Sequence, residues 1–171
     1  MPNWMEGNLK IKGKQKNIVK FFTEQFTDEN EGFNLELDPD ELGFKQKYNN
    51  TSLCFKDISR AFTDDNYVTI HYKDYWNRQK NYEEEIVAVS IRFCQAWSLK
   101  PKEFAELAKR YNLCFKILGH DQGMQITQQL EVSSNGEIID FEEQKFESSL
   151  DWCWNVDNCN FGGWHYNISR W

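Results

Sequence analysis

The strongest constraint on the fold is an alternation close to the start of the chain. In Asn8-Leu9-Lys10-Ile11-Lys12-Gly13 the apolar Leu9 and Ile11 interleave with Lys10 and Lys12. That is the period-2 pattern of a strand with one buried face. Gly13 ends it, and Ile18, Phe21, Phe22 and Phe26 follow at i, i+3, i+4 and i+8, one face of a helix. Lys16, Lys20 and Glu24 fall on the other side. The chain therefore opens strand-helix, and a strand this near the terminus is expected in the middle of a sheet.

The same order returns further on. Ile86 to Trp97 is the longest strand candidate, with apolar residues on both sides at its start, as in a central strand. Ser98 is a plausible N-cap, Pro101 suits the first helical turn, and Phe104, Leu107, Ala108 and Tyr111 recur at helical spacing. Asn112 ends that helix. Leu113 to Leu118 reads as a strand, Gly119 to Gly123 as a turn, and Met124 to Val132 as the partner strand. Ser133-Ser134-Asn135-Gly136 is a hairpin signal, because Asn-Gly accepts the positive backbone angles of a tight turn. Glu137 to Phe141 returns as a further strand.

Between the two units, residues 27–65 read as an insertion of loops and short strands packed on one edge of the sheet. Tyr67 to Tyr72 is β-prone, and the charged and aromatic residues 73–85 read as a long turn. The expected fold is α+β: a ferredoxin-like split βαβ arrangement, antiparallel, with two helices on one face. At 171 residues the chain is expected to be one domain, with the insertion at about 27–65 and an aromatic extension at about 150–171.

Seven Trp, seven Tyr and thirteen Phe supply enough area for a core and argue against a disordered tail. The net charge of −7 argues against a molecule that coats nucleic acid over its whole surface. The charge is uneven, however. Lys10, Lys12, Lys14, Lys16 and Lys20 face only Glu6 in the first twenty residues, whereas the runs 28–41 and 131–151 are acidic. The N-terminal residues resemble no secretory leader, and no apolar run approaches the roughly 18–20 residues that span a bilayer. A cytoplasmic protein with no membrane contact is the expectation, its five Cys reduced.

Pro2-Asn3-Trp4 followed by Asn8-Leu9-Lys10-Ile11-Lys12-Gly13 resembles the start of the YubB-like ferredoxin-fold proteins of phages and plasmids. Met5 stands where that family commonly has Cys. Phe93 to Tyr111, with Trp97, Pro101, Phe104 and Leu107, is similar to its second strand-helix unit, and Asn135-Gly136-Glu137 to its closing hairpin. The resemblance implies a ferredoxin-like fold and a home on a mobile element, and it brings no catalytic motif. Some small phage proteins of this kind antagonise host defence, anti-CRISPR proteins among them. A counter-defence role follows as an expectation, with a host defence protein or ribonucleoprotein, such as a CRISPR effector, as the partner.

For chemistry, Cys153, Cys159 and His165 are soft ligand types. Zinc sites space their ligand pairs more tightly and use four, so no metal is expected. No nucleophile elbow or phosphate loop accompanies His71, His120 or His165, and no cofactor is expected. His120-Asp121 offers a general base or a solvated turn. Glu83-Glu84-Glu85 and Asp38, Asp40 and Glu41 offer carboxylates for Mg²⁺ or simply a solvated face. Lys10, Lys12, Lys14 and Lys16 alternate along the opening strand and its turn. With Tyr72, Trp76, Arg78 and Lys80 they are the candidate binding residues, able to grip phosphates and stack bases. The acidic runs could instead imitate phosphates and fill a basic channel. The leading expectation is a non-catalytic inhibitor of a CRISPR nuclease that binds the effector or its guide RNA. The alternatives are an enzyme, either a nuclease or an activator of RNA cleavage, and an accessory nucleic-acid-binding protein of the element.

Overall fold

A computed structural model describes residues 3–27, 36–38, 43–45, 53–63, 67–72 and 84–148, with 36–38, 43–45 and 67–72 given by their backbone pairing. The opening strand β1 (Trp4–Lys14) runs directly into helix α1 (Gln15–Gln25). Short strands follow: β2 (Phe26–Thr27), β3 (Glu36–Asp38), β4 (Gly43–Lys45), β5 (Leu53–Phe55), β6 (Ala61–Thr63) and β7 (Tyr67–Tyr72). The second unit comprises β8 (Ile86–Ala96), helix α2 (Pro101–Tyr111) and β9 (Cys114–Asp121). Strands β10 (Ile126–Val132) and β11 (Ile138–Lys145) complete it.

The protein is α+β, with an antiparallel sheet and two helices. The sheet is ordered β11-β10-β9-β1-β8-β6-β5-β2, and β7 also pairs with β8, carrying β4 and then β3. The opening strand is central as expected, with β8 on one side and β9 on the other, both antiparallel. Its period-2 reading fixes the two faces. Met5, Leu9 and Ile11 are buried, as are Val87, Val89, Ile91 and Phe93 of β8 and Phe115 and Ile117 of β9. Their alternate neighbours make the opposite face.

Both helices cover the first of these faces. Phe21 of α1 meets Phe115 of β9 with ring centroids 5.4 Å apart, and Phe104 of α2 meets the same Phe115 at 5.8 Å. Phe104 also meets Phe93 of β8 at 5.6 Å. Edge-to-face and tilted ring pairs of this kind add about 0.5–1.5 kcal/mol each beyond the area they bury. Where the helices meet, Gln25 donates to Tyr111 Oη at 3.0 Å and to Asp57 Oδ2 at 2.7 Å, and the Tyr111 hydroxyl donates to Glu24 at 2.9 Å. Arg110 closes the group on Asp57 at 2.5 Å. The Gln25 amide and the Tyr111 hydroxyl thus satisfy one another where the helices meet rather than remaining unpaired.

Three details differ from the sequence reading. Residues 53–63 are more than an edge decoration, since Leu53, Phe55, Ile58 and Ala61 are buried in the main core. Helix α2 is capped by Lys100 rather than Ser98, with no side-chain cap bond, and relies on Pro101 at its start. Strand β9 runs on through His120 and Asp121, so the turn begins later than Gly119. Here Gly119 pairs with Gly7, and a Cβ on Gly7 would lie 2.0 Å from Leu118 O. The two strands approach too closely there for any side chain at Gly7. As expected, Asn112 ends α2 in the left-handed conformation, with φ of 52°. Gly136 takes φ of 85° in the hairpin.

No helix among the described residues is long and apolar enough to cross a membrane. The aromatic extension at about 150–171 lies outside the described residues.

Candidate nucleic-acid interface

With both helices on one side, the other face of the central strands is covered by no helix of the described residues. It carries the even-numbered residues of β1, β8 and β9. Antiparallel register places them side by side: Lys12 stands opposite Ala88 and Cys114, Lys10 opposite Ser90 and Lys116, and Asn8 opposite Arg92 and Leu118. Directly opposite side chains on neighbouring strands have Cβ atoms about 4.5–5.5 Å apart. Lys10, Lys12, Arg92 and Lys116 therefore form one basic cluster at the middle of the sheet. Lys12 and Arg92 are exposed, while Lys10 and Lys116 are half-buried.

The Lys10–Lys116 pair is the unusual feature. Like charges directly opposite each other destabilise a sheet. The Lys10 ammonium is pushed below the usual lysine range, first by burial and then by the Lys116 charge beside it. Next along the same row, Lys116 Nζ donates to Glu131 of β10 at 2.9 Å, and Asp140 of β11 stands opposite Glu131. The basic centre is thus bordered by an acidic outer edge on the β10–β11 side.

The remaining candidate residues separate. Lys14 closes the row at the end of β1, and Lys16 lies on the first turn of α1. Both donate to the one carboxylate of Glu84, Lys14 at 2.7 Å and Lys16 through the other oxygen. Those bonds, Lys14 first, hold the Glu84 carboxyl down at about 2. The Lys14–Lys16 end of the row is therefore engaged internally, with Glu84 as its clamp. Tyr72 belongs to β7, its backbone opposite Val87. Trp76, Arg78 and Lys80 lie outside the described residues, as do Cys153, Cys159 and His165.

Two members of the cluster escaped the sequence reading. Arg92 is the one Lys or Arg of β8 and Lys116 the one of β9, both far from Lys10 in the chain. Alternation with Ile91 and Phe93, and with Phe115 and Ile117, was the available signal that both point away from the core. Only the strand register brings them to Lys10.

His120 and Asp121 lie at the far end of β9 from the basic cluster. His120 is half-buried and opposite Glu6, and burial pushes its imidazole below the usual range, against the opposing pull of Asp121. Asp121 is buried. Neither belongs to a solvated turn. Among the described residues no group of three or more His, Cys, Asp and Glu is placed to hold a metal ion.

No protein-family model, curated protein or solved structure matches this chain, so the reading of the site rests on its own residues.

Proposed function

We propose that this is a binding protein whose sheet face opposite the two helices takes the phosphate backbone of single-stranded RNA. The observation that carries the reading is Lys10 directly opposite Lys116, with Lys12 and Arg92 beside them. Two like charges placed opposite each other on a sheet favour a bound anion, and phosphates supply one. A patch of four cations on a molecule of net charge −7 acts locally, because charges farther off than about 8 Å are largely screened at physiological salt. The acidic edge at Glu131 and Asp140 limits the strand to a path over the centre of the sheet.

The frame we propose is a ferredoxin-like split βαβ core. Its support is the order β9-β1-β8-β6 with α1 and α2 as the crossing helices, enlarged by β10, β11 and the short strands. Such sheets can present an open face to RNA. The face here relies on cations where aromatic platforms use stacking, so the reading favours backbone over base recognition.

We further read the protein as a counter-defence factor of a mobile element, acting in the host cytoplasm. It would inhibit a CRISPR nuclease by occupying its effector or guide RNA. The likeness of the Pro2-Asn3-Trp4 opening to phage and plasmid proteins supports this setting, and an RNA-binding face supports the guide as the contact. The test is to mix the full chain with a purified guide-loaded nuclease and with the free guide, then follow complex formation and target cleavage. Retention on the guide or the loaded effector with loss of cleavage is expected. Absence of binding to both would sink the proposal, and shortened guide RNA would replace it with an enzymatic one.

A further inference from the structure

At the end of the sheet away from the basic cluster, the start of β1 and the end of β9 enclose a cleft of about 220 Å³. Asn3, Trp4, Glu6, His120, Asp121 and Gly123 line it. Three features give it a chemical character that nothing in the RNA-binding reading uses.

The first is an orphaned carboxylate oxygen. Asp121 is 1% exposed. Its Oδ1 accepts the Met124 N–H at 3.0 Å, but its buried Oδ2 has no hydrogen-bond partner among the described residues. Leaving a buried acceptor unsatisfied is costly, more so for a charged group, so such an oxygen calls for an explanation. The second is convergence. A point one Cβ length from the Gly123 backbone lies 3.3 Å from Asp121 Oδ1 and 3.4 Å from Asn3 Oδ1. Two side-chain oxygen acceptors thus come together beside the Gly123 backbone. The third is charge. Glu6 adds a second carboxylate, while burial keeps the neighbouring imidazole of His120 from readily becoming a cation. The wall is the indole of Trp4, 36% exposed and packed edge-on against Phe62 at 5.1 Å.

A lining that is negative, rich in acceptors and flanked by an aromatic ring suits a positively charged donor. The protein already makes such a contact nearby, with the Arg60 guanidinium 4.6 Å from the centroid of the Trp97 ring. Trp97 in turn donates its backbone N–H to Asn3 O at 2.8 Å. With no group of three His, Cys, Asp and Glu placed to hold a metal ion among the described residues, a nitrogen cation fits better than a metal.

We infer that this cleft binds an alkylammonium or guanidinium group, with its N–H donors on Asp121 and Asn3, its charge balanced by Glu6 and its apolar flank on Trp4. The group would be the end of a lysine or arginine side chain of a protein partner, or a free polyamine. The site lies at the opposite end of the sheet from the basic cluster and does not depend on RNA binding there.

The test is an NMR titration of the full ¹⁵N-labelled chain with N-acetyl-arginine methylamide, N-acetyl-lysine methylamide and spermidine, and separately with Mg²⁺ and Ca²⁺. Saturable shifts are expected at the Trp4 indole N–H and the Gly123 amide with the nitrogen cations. Asp121→Asn keeps an acceptor for Met124 and should weaken binding about tenfold or more, the size of one hydrogen bond to a charged group. Glu6→Gln, outside the core, should weaken it as well and serves if Asp121→Asn fails to fold. Tighter binding of the amino-acid amides assigns the site to a partner's side chain, and tighter binding of spermidine to a free amine. Three results overturn the inference: no saturation with any nitrogen cation, saturation with the metal ions alone, or equal binding by the wild type and both variants. RNA binding measured on the same samples separates failure of this site from failure of the sheet face.

Discussion

Lys116 stands between two opposing neighbours, Lys10 of β1 directly opposite on one side and Glu131 of β10 on the other, its Nζ 2.9 Å from the Glu131 carboxylate. The sheet places a repelling pair and an attracting pair in one row. The attraction holds Lys116 toward the outer edge and partly neutralises it, so the edge tunes how strongly the centre draws an anion. Glu131→Gln should release Lys116 and raise affinity for single-stranded RNA by up to about fivefold, since a surface pair is worth up to about 1 kcal/mol. Fluorescence anisotropy with a labelled RNA measures this. An unchanged or lower affinity would remove Lys116 from the binding surface.

Glu84 gives a pH prediction at the other end of the row. Its carboxyl sits at about 2 against an ordinary 4.5, chiefly because Lys14 and then Lys16 donate to its charged form. The folded value lies below the unfolded one, so the clamp's contribution is present in full above about 4.5 and is lost as pH falls from there through about 2. Carboxyl ¹³C shifts followed over this range should leave Glu84 ionised at pH 4, with Lys14→Ala moving its midpoint upward. A Glu84 midpoint at the ordinary value in the wild type would mean that the clamp does not form.

Stability should depend most on the rings that join both helices to the sheet. Phe21 is fully buried and pairs with Phe22, Phe26, Phe55, Tyr111 and Phe115. Phe21→Ala removes the central ring of that set and should cost about 3–5 kcal/mol. Denaturant unfolding at equilibrium checks it. A loss below about 1 kcal/mol would show that the α1 interface repacks, against a core organised around Phe21.

Much of this frame is legible in the sequence because its cause is local. Leu9 and Ile11 alternating with Lys10 and Lys12 tell which side of β1 meets the core. Phe104, Leu107, Ala108 and Tyr111 mark the buried stripe of α2, and Gly136 marks the hairpin. What escapes is whatever depends on register between distant strands. The pairing of Lys10 with Lys116 requires β1 to lie against β9 with Ile11 opposite Phe115, and no local pattern encodes that offset. The same is true of Glu84, which reads as one acid of a solvated run until the start of α1 is brought beside it. His120-Asp121 reads as a turn because two glycines flank it. Yet Gly119 serves the close approach of β9 to β1, and the turn starts one strand end later.

The most direct test of the RNA-binding account is the salt dependence of affinity for a single-stranded RNA, compared between the wild type and Lys10→Gln/Lys116→Gln. Each phosphate contact contributes about 0.7 to the slope of log affinity against log salt for a single strand. The account predicts weaker binding by the double variant and a slope shallower by about 1.4, with thermal unfolding showing an intact fold. Equal affinity and equal slope in the two proteins would contradict it.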